Sequence, residues 1–291
     1  MYTVMGVTGK VGGVVAEALL GSGKQVRAVV RNEERGRAWR DRGCELVVAD
    51  NADAPRLAQG FEGTEGVFAM MPPSYDPSPG YGENRALIDA LDFALRQAQP
   101  PRTVVLSTVG GHVSRENLLE QLHEMEERLG QLSSPIAFLR AAWFMENASG
   151  DLGAAKRGRI ESFLQPVDRA IPMVATRDIG LQAARMLAEN SAGLGTVQLQ
   201  GPQSYSPRQI GQIFEKLLGH RVAVEAIARH TWKSLFLGQG MKNPEPRMQM
   251  LDGFNEGWLD FEAGVPLLRG STTLETVLEE VVKSAEVKEE K

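Results

Sequence analysis

Three glycines, Gly6, Gly9 and Gly12, stand at equal spacing, the first inside the apolar run TVMGV and the other two just behind it. The pattern Gly-x-x-Gly-x-x-Gly after such a run gives a strand, a tight turn and a helix. The first glycine lets the chain turn. The second admits a pyrophosphate against the backbone, and the third lets helix and strand pack closely. The helix start near Lys10 offers unpaired N–H groups and a positive dipole end to phosphate. Thr8 adds a hydroxyl donor. A glycine-rich turn with no ligand is the structural alternative; the position inside a strand–helix–strand unit favours nucleotide binding.

The next apolar run, QVRAVVRN, ends in Arg31 and Asn32. An NAD-binding protein of this type usually has an acidic residue here, on the ribose 2′-hydroxyl. A carboxylate repels a 2′-phosphate, whereas a guanidinium binds it with paired charge-assisted bonds. The spacing therefore predicts NADP(H) in preference to NAD(H). The alternative is a solvated arginine at a strand end. Arg35 and Arg37, on the following helix, either assist or face water. Asp50 ends ELVVAD; it reaches the adenine amino group or caps the next turn. Met70 and Met71 follow the fourth strand, as cofactor wall or as core. Ser107 and Thr108 end the fifth strand, at the carboxyl edge where open α/β sheets hold their ligands.

These residues need a scaffold, and the first half of the chain supplies its rhythm. Strand-like runs TVMGV, QVRAVV, ELVVA, GVFAMM, TVVLS and IAFLR alternate with helical spacing over 11–20, 33–42, 84–97 and 117–132. Nearly continuous apolar strands separated by helices predict an α/β fold, a Rossmann-type doubly wound parallel sheet. The expected division is a nucleotide-binding core over 1–147. Residues 148–291 return partly to that core and form a smaller C-terminal α/β lobe. In that second part RIESFL, TVQLQGP and RVAVEAI read as strands. Asp178 is expected to cap the helix behind it. Ser206, Pro207 and Gln209 form a capping box, with Gly219 as the stop. PPSYDPSPGYG, residues 72–82, is the conspicuous turn-rich loop of the first half.

Composition narrows the function classes. The 291 residues are 42% apolar and 24% charged, with a formal net charge of −5, which argues against non-specific nucleic-acid binding. No apolar stretch is long enough to span a bilayer. With the first strand-like run beginning at Tyr2, a cytoplasmic protein is expected. The single cysteine, Cys44, reads as a small buried residue. His112, His123, His220 and His230 show no metal-ligand spacing, so no metal is expected.

GVTGKVG, VRAVVRN, VVADNAD, VVLSTVGG, FLRAAWFMENA and VATRDIGLQAARML together resemble the NmrA-like group of atypical short-chain dehydrogenases/reductases. LQGPQSYSPRQIGQIFEKLLGHRVAV is similar to that group's strand, Gly-Pro and helix ending Leu-Gly. The look is that of bacterial NADPH-dependent quinone oxidoreductases; the group also contains NADP-binding regulators. The resemblance implies a Rossmann core with a cleft against a smaller lobe. It puts cofactor contacts on Gly6, Thr8, Gly9, Lys10, Val11, Gly12 and Arg31. It adds Trp143, Phe144 and Glu146 at the nicotinamide end.

One departure bears on mechanism. Related enzymes use a Tyr-x-x-x-Lys pair, or keep the lysine, on the helix after VVLSTVGG. Matching Glu126 and Leu129 to the group's Glu-x-x-Leu places Gln121 at the lysine position. Glutamine can hydrogen-bond a ribose or a carbonyl but is no acid near neutral pH. No catalytic residue is assigned. A quinone can take hydride from the nicotinamide and its proton from water, leaving positioning and a dry pocket to the protein. On the substrate side, Trp232 and Phe236, with Met241, Met248, Met250 and Phe254, form either an adaptable wall for a planar aromatic acceptor or plain lobe core. A subunit contact, as in a homodimer, is the third use. Two functions follow: an NADPH-dependent oxidoreductase acting on a quinone or similar acceptor, or a non-catalytic NADP(H) sensor acting on a regulatory protein partner. A sugar-nucleotide epimerase needs the missing Tyr/Lys pair.

Overall fold

The computed structural model describes residues 1–189 and 195–289. Strand and helix alternate through the first half. The order is β1 (Tyr2–Val4), α1 (Lys10–Gly21), β2 (Val26–Val30), α2 (Glu33–Asp41), β3 (Glu45–Val48), α3 (Ala54–Phe61), β4 (Gly66–Ala69) and α4 (Gly82–Ala98). Then come β5 (Thr103–Thr108), α5 (Glu120–Leu129) and β6 (Ile136–Ala141). The second half adds β7 (Trp143–Phe144), α6 (Leu152–Lys156), β8 (Arg159–Ser162), β9 (Ile171–Val174), α7 (Thr176–Ala188), β10 (Thr196–Gln200) and β11 (Ser204–Tyr205). It closes with α8 (Pro207–Leu218), β12 (Ala223–Ala226), α9 (Trp232–Gly238), α10 (Glu245–Glu256), β13 (Leu267–Arg269) and α11 (Leu274–Glu289).

Eight parallel strands form one sheet in the order β13-β10-β6-β5-β4-β1-β2-β3. The order reverses between β1 and β4, which opens a crevice at their carboxyl ends. One face of the sheet is covered by α1 and α7 over Val4, Val15, Phe68, Leu139, Ile179 and Leu187. Gly180 of α7 lies against Val14 and the Val11 carbonyl, so these two helices touch backbone to side chain. The other face packs α3, α4 and α5 through Leu57, Phe61, Leu91, Leu95, Met125 and Leu129. Both faces are apolar, which is why the strands read as near-continuous hydrophobic runs. A third cluster gathers Met145, Ile160, Tyr205, Phe214, Trp232, Phe236, Leu251 and Leu278 beside the carboxyl edge. Two small sheets belong to it, β11-β9-β7 and β12-β8.

Local chemistry accounts for most boundaries. Asn32 caps α2 by accepting from the Arg35 N–H at 2.9 Å. Ser206 and Gln209 form the reciprocal box of α8, and Gly219 ends that helix. Helix α3 has its own signal, Asp53 accepting from the Arg56 N–H at 3.2 Å with Pro55 in the first turn. α5 starts at Glu120, later than its periodicity suggests. Asn117 closes a turn first, accepting from the Leu119 N–H at 2.7 Å and donating to the Arg115 carbonyl at 2.7 Å. The expected cap of α7 is corrected. Asp178 accepts from the Thr272 N–H at 2.9 Å and hydroxyl at 2.8 Å, tying α7 to the segment before α11. Glu146 takes the helix start instead. Among the described residues no helix is long and apolar enough to cross a membrane.

Candidate active site

The β1–α1 turn lies at the switch point. Gly6 has φ +68°, and a Cβ there would meet the Met70 sulfur at 2.6 Å. Gly12 sits against the Gly6 and Met5 carbonyls, with no room for a side chain. The Gly9 N–H donates to the Gly6 carbonyl at 2.9 Å, closing the turn. Gly9 is also the residue before α1, and no side chain caps the helix. The first-turn N–H groups therefore open outward beside the exposed Thr8, Gly9 and Lys10, while the Val11 side chain is buried. An uncapped helix start of this kind suits an anion. The turn thus passes a physical test for a pyrophosphate: donors without acceptors, and no side chain between them and the cleft. Met70 flanks Gly6, whereas Met71 is buried in the core face under α4.

Arg31 directly follows β2 and is exposed, and it makes no hydrogen bond or ion pair among the described residues. Arg35 and Arg37 are exposed too, and neither side chain has an acidic partner among the described residues. Asp50 follows the capping alternative: its Oδ1 accepts from the Ala52 N–H at 3.0 Å.

Further along the edge, the structure redirects several expected contacts. The Ser107 hydroxyl donates to buried Glu126. Glu126 is forked by Arg140, with Nη2 to Oε2 at 2.6 Å and Nε to Oε1 at 2.9 Å, and Arg140 also meets Glu262. Ser107 is thus the end of a buried ionic chain rather than a hydroxyl aimed at the cleft. The Glu146 carboxylate is occupied as well, accepting from the Thr176 N–H at 2.9 Å and hydroxyl at 2.6 Å at the start of α7. Gln121 is buried. Its oxygen accepts from Asn84 and its nitrogen donates to the Leu118 carbonyl at 2.8 Å. It borders a polar hollow of about 470 Å³ that Tyr81, Arg85, His123 and several glutamates line. The Tyr81 hydroxyl donates to the Asn117 carbonyl at 3.1 Å. Burial, with Glu120 and Glu116 adding to it, pushes its pKa up to about 12, so it is no acid near neutrality. His123 holds the Gly111 carbonyl at 2.8 Å through Nδ1. Burial raises the Cys44 thiol, consistent with a packing role.

A cavity of about 140 Å³ opens beyond β7. Trp143, Met145, Asp151, Phe163, Arg247 and Leu251 are among its walls. Trp143 stands edge-on to Phe254 at 5.0 Å. Trp232 and Phe236 do not line it: both are 0% exposed and belong to the third core. The Trp232 Nε1–H donates to the Ile227 carbonyl at 2.9 Å, and Phe163 lies edge-on to its ring. Two charged residues of this wall lie outside the sequence expectation. Asp151 is raised to about 6 by burial alone. Arg247 rests on Phe236 at 4.7 Å, and burial lowers its pKa. The loop 72–82 reaches across to the same region. Asp76 accepts from the Lys242 N–H at 2.9 Å and the Asn243 N–H at 2.7 Å, which sets Tyr75 6.0 Å from the Arg247 guanidinium.

An open parallel sheet with a glycine turn at its switch point, and a separate cavity beyond the same edge, defines a Rossmann-type α/β protein. The chain belongs to the NmrA-like family, whose model matches residues 2–257. It is 24% identical over 270 residues to an NAD(P)H azoreductase of Xenophilus azovorans, covering 91% of this chain and 90% of that protein. Among solved structures it superposes on a triphenylmethane reductase of Citrobacter sp. with a TM-score of 0.81 at 21% identity, over 97% of this chain and 99% of the other. An NADPH-dependent quinone oxidoreductase of Escherichia coli, solved with NADPH, gives a TM-score of 0.80 at 22% identity, over 98% and 100%. At these identities the structural likeness establishes the fold.

Proposed function

We propose that the chain is an NADP(H)-dependent oxidoreductase that passes hydride to a quinone or similar planar acceptor. The observation that carries it is Arg31, a guanidinium without a partner among the described residues, at the β2 end beside the uncapped start of α1. In this reading Gly6, Thr8, Gly9, Lys10, Val11 and Gly12 hold the pyrophosphate through backbone donors, and Arg31 holds the 2′-phosphate. Met70 walls the cofactor. Trp143 and Phe144 turn the chain from the sheet edge into the acceptor cavity, and Ser107 and Glu146 act by fixing the backbone of that edge. When bound, the dinucleotide supplies the hydride, and with a proton from water a quinone becomes a hydroquinone. The relatives, an azoreductase, a triphenylmethane dye reductase and a quinone oxidoreductase, support the same class of acceptor. The test is NADPH oxidation followed across a quinone panel. Turnover with at least one quinone is expected; tight NADPH binding with none reduced overturns the enzyme. That second outcome would favour a non-catalytic NADP(H) sensor, a reading supported by Gln121 being spent in internal bonds where relatives keep an acid–base residue.

A further inference from the structure

Arg247 differs from three other arginines that are withdrawn from water. Arg140 is forked to Glu126, Arg229 pairs with Asp252 at 2.6 Å, and Arg27 pairs with Glu45 at 2.7 Å. Arg247 is half-buried, yet has no carboxylate partner among the described residues. Its one hydrogen bond among the described residues goes to the Met241 sulfur at 3.8 Å, a weak acceptor. Its flat faces are cared for by Phe236 and Tyr75. Arg247 lines the cavity, and its guanidinium carries five N–H donors. A desolvated cation left without an acceptor is costly, and such a group persists where a ligand completes it.

The rest of the cavity limits that ligand. The apolar part of the wall includes Trp143, Ile160, Phe163, Leu164 and Leu251. The volume, about 140 Å³, is close to that of a cavity known to hold one benzene ring, about 150 Å³. Two carboxyl groups also line it, and neither forms an ion pair with Arg247. Glu161 is tied to Arg159 at 3.2 Å, and the raised pKa of Asp151 has burial as its one cause, with no contribution from a nearby guanidinium.

We propose that the acceptor is a single-ring quinone that carries an anionic substituent, its carboxylate or sulfonate held by Arg247 and its ring among Trp143, Phe163 and Leu251. The proposal rests on reading this cavity as the acceptor site. It adds a charge requirement that a plain quinone does not meet.

Equilibrium calorimetry separates the two claims, because it needs no turnover. Benzoate, benzenesulfonate and neutral benzyl alcohol are titrated into the full-length protein. Either anion is expected to bind at least about tenfold more tightly than the alcohol, since hydrogen bonds to charged groups contribute about 1.5–3 kcal/mol. In Arg247→Met that preference should collapse by about ten- to a hundredfold, with Arg247→Lys in between. The relative strength of benzoate and benzenesulfonate tells which anion fits. Equal binding of alcohol and anions to the unmutated protein overturns the proposal without any variant. An unchanged preference in folded Arg247→Met overturns it too. If the anion preference holds but no quinone, plain or bearing a carboxylate or sulfonate, is reduced by the unmutated protein, the reductase reading fails and the anion site stands.

Discussion

Asp151 gives a quantitative handle on the acceptor cavity. Its carboxyl has no hydrogen-bond partner among the described residues, and burial lifts it from 3.8 to about 6. The folded protein then binds this proton more tightly than the unfolded chain does. The resulting stability is fully present below pH 3.8 and is lost as pH rises through about 6. At about 1.4 kcal/mol per factor of ten, the difference is at most about 3 kcal/mol; water reaching the half-buried group reduces it to about 2. Asn cannot ionise. Asp151→Asn should therefore gain on the unmutated protein by about 2–3 kcal/mol as pH goes from about 4 to about 8. Urea unfolding of both proteins across that range measures the difference directly, and every other titrating group cancels in it. A stability difference that stays flat with pH would refute the reasoning, because it would mean water solvates Asp151 in the fold as it does in the free chain.

Two further substitutions test the scaffold of the site. Gly12→Ala places a methyl against the Gly6 and Met5 carbonyls, so it should cost about 1–3 kcal/mol of stability and weaken dinucleotide binding together; thermal unfolding and calorimetry read both. Glu126→Gln leaves the buried Arg140 with half its compensation and should cost about 3 kcal/mol or more in denaturant unfolding, whereas an exposed pair such as Arg42–Glu17 should cost less than about 1 kcal/mol.

The parts of the molecule legible in the sequence are those governed by short-range rules. The glycine turn follows from steric limits within a few residues, and the α8 cap from one reciprocal pair. The parallel strands announce themselves because both faces of the sheet are apolar. The parallel sheet and the family come from such signals. Long-range partners carry none. Ser107 ends a strand at the correct edge, but its hydroxyl is claimed by Glu126, 19 residues away. Glu146 caps α7 across 30 residues and Asp178 meets Thr272 across 94. Trp232 and Phe236 look like wall or core equally well from their types; burial decides for core. Arg247 and Asp151 stand out only once folding has removed their water. α3 was within reach of sequence reasoning through Asp53 and Pro55, and its eight residues are too few to show a helical period clearly.

The central claim is that Arg31 selects the phosphorylated dinucleotide. Calorimetric titration of NADPH and NADH into the unmutated protein and Arg31→Glu measures it most directly. NADPH should bind about one to two decades more tightly than NADH, and the variant should lose that preference while NADH affinity changes little. Equal losses for both dinucleotides, or no preference to begin with, would contradict it.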